Sequence, residues 1–184
     1  CSKAVDLLPA LTCTIWKSVC KTLATWQDKG CKLVPISINV SMIDITNIDV
    51  PQYLSMLTEQ YHISPKYLPV EITESIFAES NTIVKNTITR FHQKGFYVLM
   101  DDFGSGYSSL NVLKDANVDY LKLDMKFMQI DAKNKGKGIQ ILKSIVDMAH
   151  RLDLVIIAEG VETKEQSEIL KSMNCNYGQG FYFY

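Results

Sequence analysis

FYVLMDDFGSGYSSL, residues 96–110, is the stretch on which the fold turns. Phe96 to Met100 form an unbroken apolar run, as expected of a strand covered on both faces. Asp101 and Asp102 follow where burial should end. Two like charges side by side are costly unless a cation or a cationic side chain neutralises them. Gly104 and Gly106 then permit a tight backbone path. A lone DD-x-G is equally what a solvated turn looks like when its aspartates cap the next helix. The two readings part on whether other strands of the chain end the same way.

Working outward, the first thirty residues read as a helix. Val5, Leu8, Leu11, Ile15, Val19, Leu23 and Trp26 recur at helical spacing, and Gly30 stands as its stop. The pattern then alternates. Strand PISINVS (35–41) precedes a helix around 51–62, and LPVEITES (68–75) precedes one that Gly95 closes. The opening stretch leads into a short helix over SSLNVLKDA. VDYLKLD (118–124) passes through a soluble loop, KNKGKG, into IQILKSIVDMAHRLD. LVIIAEG (154–160) leads into TKEQSEILKSMN, and QGFYFY reads as a sixth strand. Strand and helix in strict alternation predict a parallel α/β fold of right-handed βαβ units. Periodicity alone leaves open whether the sheet is flat or closed.

The polar residues at the strand ends decide for closure. Asn39 lies between Ile38 and Val40, Glu71 between Val70 and Ile72, and Lys122 between Leu121 and Leu123. Alternation sends each away from its apolar neighbours. Glu74, Asp124, Glu159, Glu162 and Gln179 follow at or just beyond strand ends. A doubly covered open sheet should rarely hold such insertions. In a β/α barrel they line the C-terminal mouth, where active sites are built.

Residue type then narrows the chemistry. Asn39, Glu71, Asp101, Asp102 and Glu159 offer oxygen ligands with no convergent His or Cys, which selects Mg²⁺ or Mn²⁺ over zinc. His62, His92 and His150 fall on expected helices or their ends and read as surface or packing residues. Adjacent aspartates can bridge two cations about 4 Å apart, the arrangement that cleaves phosphodiesters by in-line attack of water. Lys122 would sit among these acids to hold a phosphate oxygen or the attacking water. Its plainer role is a structural ion pair with Asp124 or Asp102.

Bulk properties agree. The 184 residues suffice for one domain with a core, and 47% apolar content with net charge −1 is ordinary for a globular protein. There is no basic excess to suggest DNA, RNA or a membrane surface, and no run long enough to span a bilayer. Cys1, Cys13, Cys20, Cys31 and Cys175 show no CxxC spacing and read as thiols in a reducing, cytoplasmic setting, Cys13 and Cys20 as core packing.

Taken in order, INVS, EITES, DDFGSGYSSL, LKLD, AEGVET and QGFYF resemble the EAL family of cyclic di-GMP phosphodiesterases. The resemblance implies a TIM-like β/α barrel that hydrolyses cyclic di-GMP to linear pGpG with two Mg²⁺ or Mn²⁺ ions. It implies Asn39, Glu71 and Asp101 as metal ligands, with Asp101 shared between the ions and Asp102 on the second. Glu159 would order the nucleophilic water as base or ligand, with the catalytic Lys122 near that water. Asp124, Glu162 and Gln179 match further site positions, and Glu74 the acid that anchors the loop Phe103, Gly104, Ser105, Gly106, Tyr107, Ser108 and Ser109. That loop often shapes a dimer interface.

The family's Glu-Ala-Leu motif does not occur in this sequence and is expected upstream of Cys1. Barrels of this kind run to about 250 residues and eight strands. Residues 1–184 are therefore expected to form a single domain, incomplete at the N-terminus and clipped at the C-terminus. It should be a homodimer or oligomer, in a parent chain with sensor or GGDEF-type domains that could tether it to the inner face of the membrane. The alternative function is an inactive EAL-like domain that binds cyclic di-GMP as a sensor. A barrel enzyme for another phosphorylated metabolite fits poorly, because no glycine-rich phosphate loop is visible near the last strands.

Overall fold

The computed structural model describes residues 2–78, 82–104, 110–124 and 135–183. They form two compact units, Cys1–Ile72 with Ile76–Val98, and Thr73–Ser75 with Leu99–Tyr184.

In the first unit, α1 (Ser2–Asp28) is followed by β1 (Ile38–Asn39), α2 (Met42–Asn47), α3 (Val50–Gln60), β2 (Val70–Thr73) as far as Ile72, and α5 (Thr82–Gln93); the short α4 (Glu74–Ala78), directly after β2, belongs to it from Ile76 onward. β1 and β2 pair in parallel, Ile38 opposite Val70 and Asn39 opposite Glu71. The core is Trp16, Cys20 and Leu23 of α1 with Leu54 and Leu57 of α3, Ile88 and Phe91 of α5, and Val70 and Ile72. Phe91 meets Phe96 edge-on at 6.0 Å. Gly95 ends α5 at φ +80°, where the Phe96 N–H returns to the Phe91 carbonyl (2.9–3.0 Å bonds close this turn), a path that a Cβ would strain.

The second unit holds β3 (Val98–Phe103) from Leu99 onward, α6 (Leu110–Asp115), β4 (Tyr120–Asp124), α7 (Lys135–Arg151), β5 (Val155–Glu159), α8 (Lys164–Ser172) and β6 (Tyr177–Gln179). Its strands are parallel and pair in chain order. Leu121, Leu123, Ile156 and Ala158 are fully buried, as are Leu142, Val146 and Ala149 of α7. The expected parallel α/β alternation is therefore present.

Several boundaries differ from the sequence reading, each for a local reason. The buried stripe of α1 is rotated by one position: Leu11 and Ile15 are exposed, while Trp16 and Cys20 face the core. The bulkier indole takes the interior. Cys20 is buried as expected, which pushes its thiol up to about 11, whereas Cys13 is half-buried. PISINVS yields only a two-residue strand, because Ser41 caps α2 at once and shares a capping box with Asp44. The strand expected to reach Ser75 stops at Thr73, and Glu74 opens α4.

Four residues of the expected KNKGKG loop, 135–138, are helical in α7. Buried Gly138 precedes Leu142 by one turn, so the apolar stripe, and the helix with it, starts earlier than the lysines suggest. Gln179 is the last residue of its strand, not the first, and Phe181–Phe183 coil into a 3₁₀ turn.

Candidate functional site

The strand pairing of the second unit explains why two aspartates stand together. Met100 lies opposite Leu121 and Phe103 opposite Leu123, so Asp101 and Asp102 share the space across from the single residue Lys122. This is a β-bulge, and bulges re-aim side chains beside functional sites. Asp102 takes the extra residue's strain, with φ +57°, a conformation that aspartate tolerates better than most residues. Its N–H donates to Asp101 Oδ1 at 3.0 Å.

Lys122 answers the charge. Its Nζ lies 3.1 Å from Asp101 Oδ1 and 2.7 Å from Glu159 Oε1, with only 6% of the lysine side chain exposed. Asp101 and Glu159 are thus partners of the lysine. A buried ammonium between two carboxylates is tolerable only because it is bonded to both. The neighbouring strands extend the row: Asp124 stands opposite Glu159, and Glu159 opposite Gln179.

Two backbone devices hold this row. Val161 donates its N–H to the Gln179 carbonyl and accepts from Tyr182, both at 3.0 Å. Gly180 makes that clasp possible, since a Cβ there would lie 2.2 Å from the Val161 oxygen and 2.3 Å from its nitrogen. The Glu162 and Thr163 N–H groups both donate to Gln166 Oε1, at 2.7 and 3.0 Å, as part of the capping box that starts α8. Glu74, 2% exposed, accepts the Gly104 N–H at 3.0 Å and so ties the chain just beyond β3. Its other oxygen is buried with no partner among the described residues. Ser105, Gly106, Tyr107, Ser108 and Ser109 lie outside the described residues.

In the first unit, Asn39 is exposed and Glu71 is buried, side by side across β1 and β2. The indole of Trp16 donates to the Asn39 carbonyl at 3.2 Å. None of the three histidines stands at a strand end: His62 follows α3, His92 is in the last turn of α5, and His150 in that of α7.

A profile of the EAL domain family matches residues 3–184. The chain belongs to the EAL family. It is 35% identical over 183 residues to the probable cyclic di-GMP phosphodiesterase PdeB of Escherichia coli K12, covering 99% of this chain and 34% of that protein. The chain thus spans about a third of PdeB. Among solved structures, the EAL domain of Mycobacterium smegmatis DcpA superposes with a TM-score of 0.85 at 28% identity, covering 96% of this chain and 79% of that one. The PaMucR phosphodiesterase in complex with c-di-GMP gives 0.82 at 28%, covering 98% and 72%. The fold is accordingly the TIM-like β/α type of EAL domains.

EAL phosphodiesterases are metal-dependent. The donors expected from the sequence suit that chemistry: carboxylates and an amide, with no thiolate or imidazole among them. Yet no group of three or more His, Cys, Asp or Glu stands ready to hold an ion among the described residues. Within the second unit the place between Asp101 and Glu159 already has a cation, the Lys122 ammonium.

Sequence reasoning missed three supporting residues. Gln166 was legible, because Thr-x-x-Gln before an apolar helix is a capping box. The clasp through Val161 and the indole of Trp16 left no local signal, since each depends on a distant backbone carbonyl. No helix among the described residues is long and apolar enough to cross a membrane.

Proposed function

We propose that this EAL domain is a cyclic di-GMP phosphodiesterase, hydrolysing one of the two phosphodiester bonds to give linear pGpG. The observation that carries the reading is Lys122 held between Asp101 and Glu159 on adjacent strands. Support comes from relatives named for this activity, PdeB and the cyclic di-GMP phosphodiesterase PdeR of Escherichia coli K12. Asn39, Glu71, Asp101, Asp102 and Glu159 would hold two Mg²⁺ or Mn²⁺ ions. When bound, these ions neutralise the phosphodiester and lower the pKa of the attacking water.

The chain's own groups do the rest. Glu159 orders that water, and Lys122 donates to it or to a phosphate oxygen. Water adds to phosphorus, the bond to the 3′ oxygen breaks, and the leaving oxygen takes up a proton. Asp124, Glu162 and Gln179 line the substrate, and Glu74 secures the loop from Phe103 onward through Gly104. We place the domain in the cytoplasm as a homodimer or oligomer, with sensor or GGDEF-type domains in the same protein.

The test is incubation of the full-length parent protein with cyclic di-GMP in Mg²⁺, Mn²⁺ or EDTA, with product resolved by chromatography. Linear pGpG should form only with metal. Asp101→Asn should lower the rate by more than about a thousandfold, the scale expected when a ligand shared by two ions is lost. Binding of intact dinucleotide without product would make the domain a receptor instead, and full activity in Asp101→Asn would remove the two-metal assignment.

A further inference from the structure

Gln166 holds one residue more than helix capping needs. In a capping box the side chain of the third helical residue accepts the N–H of the cap. Gln166 Oε1 does so from Thr163 at 3.0 Å, while Thr163 Oγ1 accepts the Gln166 N–H at 3.2 Å. The same Oε1 also accepts the N–H of Glu162, one residue before the cap, and that bond is the shorter, at 2.7 Å. An amide oxygen carries two lone pairs, so one side chain can serve both donors. We infer that Gln166 is a positioning residue for Glu162: its amide oxygen fixes the Glu162 peptide and thereby aims the Glu162 carboxylate at the dinucleotide. This rests on the phosphodiesterase reading, and adds to it a residue that touches neither substrate nor reacting atoms.

Three features support that role. First, Glu162 is exposed and its carboxylate has no bonding partner among the described residues, so its direction depends on its own backbone. Second, the chain just before it is held from the opposite side. Gly160 turns at φ +72°, and buried Val161 donates to the Gln179 carbonyl and accepts from Tyr182, both at 3.0 Å. The Glu162 and Thr163 peptides are what remains to be fixed, and Gln166 takes both. Third, a glutamate at 166 would accept the same bonds and suit the positive end of α8 better. Glu159, Glu162 and Glu165 already load this segment with charge, and the amide supplies the acceptor without adding to it.

The experiment is a double-mutant cycle in the full-length parent protein, with cyclic di-GMP and Mn²⁺. Gln166→Met keeps the side-chain length and removes the acceptor. Thr163→Ala removes the other half of the box and leaves the Glu162 bond in place, so it reports loss of the helix cap alone. Gln166→Met should lower kcat/KM about tenfold and have no further effect in a Glu162→Ala background, as for residues that act through one another. Thr163→Ala, and Gln166→Glu with its acceptor restored, should stay within about twofold of wild type, the usual scale for surface changes. Equal losses from Gln166→Met and Thr163→Ala, or full additivity with Glu162→Ala, would reduce Gln166 to a helix cap and overturn the proposal while leaving the phosphodiesterase reading intact. Binding without hydrolysis by wild type would remove that reading alone, and the same cycle is then scored on dinucleotide affinity. Neither binding nor hydrolysis would remove both.

Should Gln166→Met fail to fold, amide exchange in the wild type decides. The Glu162 N–H should be protected to the same degree as the Thr163 N–H, since one oxygen holds both. A freely exchanging Glu162 amide overturns the proposal.

Discussion

β2 and β3 both run from an apolar segment into acids, but they handle the charge differently. β2 is regular: Glu71 alternates with buried Val70 and Ile72, and the strand ends in a helix that starts on Glu74. β3 is bulged, and its two adjacent aspartates face one lysine. A regular strand can present one acid per two residues to a given face. Presenting two in succession requires breaking the ladder, here with Asp102 at positive φ and Lys122 as charge partner. β3 thus accepts a positive φ and a buried ion pair to concentrate charge, while β2 keeps regular geometry.

The widest break in this contrast comes from removing what holds the charged row. Gly180→Ala should cost about 3 kcal/mol, the upper end of the usual cost of overpacking, because its Cβ would meet the Val161 backbone. Urea unfolding should show it as a lower midpoint at unchanged slope. An Ala substitution within a few tenths of a kcal/mol of wild type would mean that the Val161 clasp yields freely. Glu74→Ala should cost about 1–3 kcal/mol through the orphaned Gly104 N–H. It should also depress turnover more than Glu74→Gln, which keeps an acceptor. Equal losses in the two variants would show that the charge of Glu74 matters, not its hydrogen bond.

How much of this could be read from sequence follows the same divide. Strand-end acids, the lysine between two leucines and the alternating pattern are local signals, and they located the second unit's row. The bulge itself was not legible: two adjacent aspartates are equally compatible with a turn, and only the register of β3 against β4 distinguishes them. Likewise the α1 stripe was misjudged by one residue, since Ile15 and Trp16 are both apolar and only packing decides which enters the core. The shortness of β1 follows from Ser41 and Asp44, a capping signature that competes directly with strand extension.

A smaller effect tests the regular side of the comparison. Trp16 donates to Asn39's carbonyl, and Tyr53 packs on its ring at 6.1 Å. Trp16→Phe retains most of the apolar contact and drops one hydrogen bond. We expect a loss of about 1 kcal/mol in unfolding free energy, the net value of one such bond. A loss several times larger would mean that the indole supports β1 chiefly by packing, and would place both units' strand ends on steric footing.

The smallest expected effect is the control for the buried ion pair. Arg90 and Asp49 form an exposed pair in the first unit at 2.7 Å, with side chains 43% and 52% exposed. The hydrogen bond from Arg90 holds the Asp49 carboxyl below its ordinary range. Because the folded-state value is depressed, its stabilisation is present above the unfolded-state pKa, about 4, and is lost as pH falls through the folded value. Exposure limits the size to under about 1 kcal/mol. Arg90→Ala should therefore trail wild type slightly at pH 7, converge with it once the pH has fallen through the depressed Asp49 value, and converge again at pH 7 in 1 M salt, where the screening length is roughly 3 Å. The Lys122 pairs should resist that salt, being nearly excluded from water. If Lys122→Met and Arg90→Ala responded to 1 M salt alike, burial would not separate the two pairs, and the charged row at the end of β3 would be a surface feature in energetic terms.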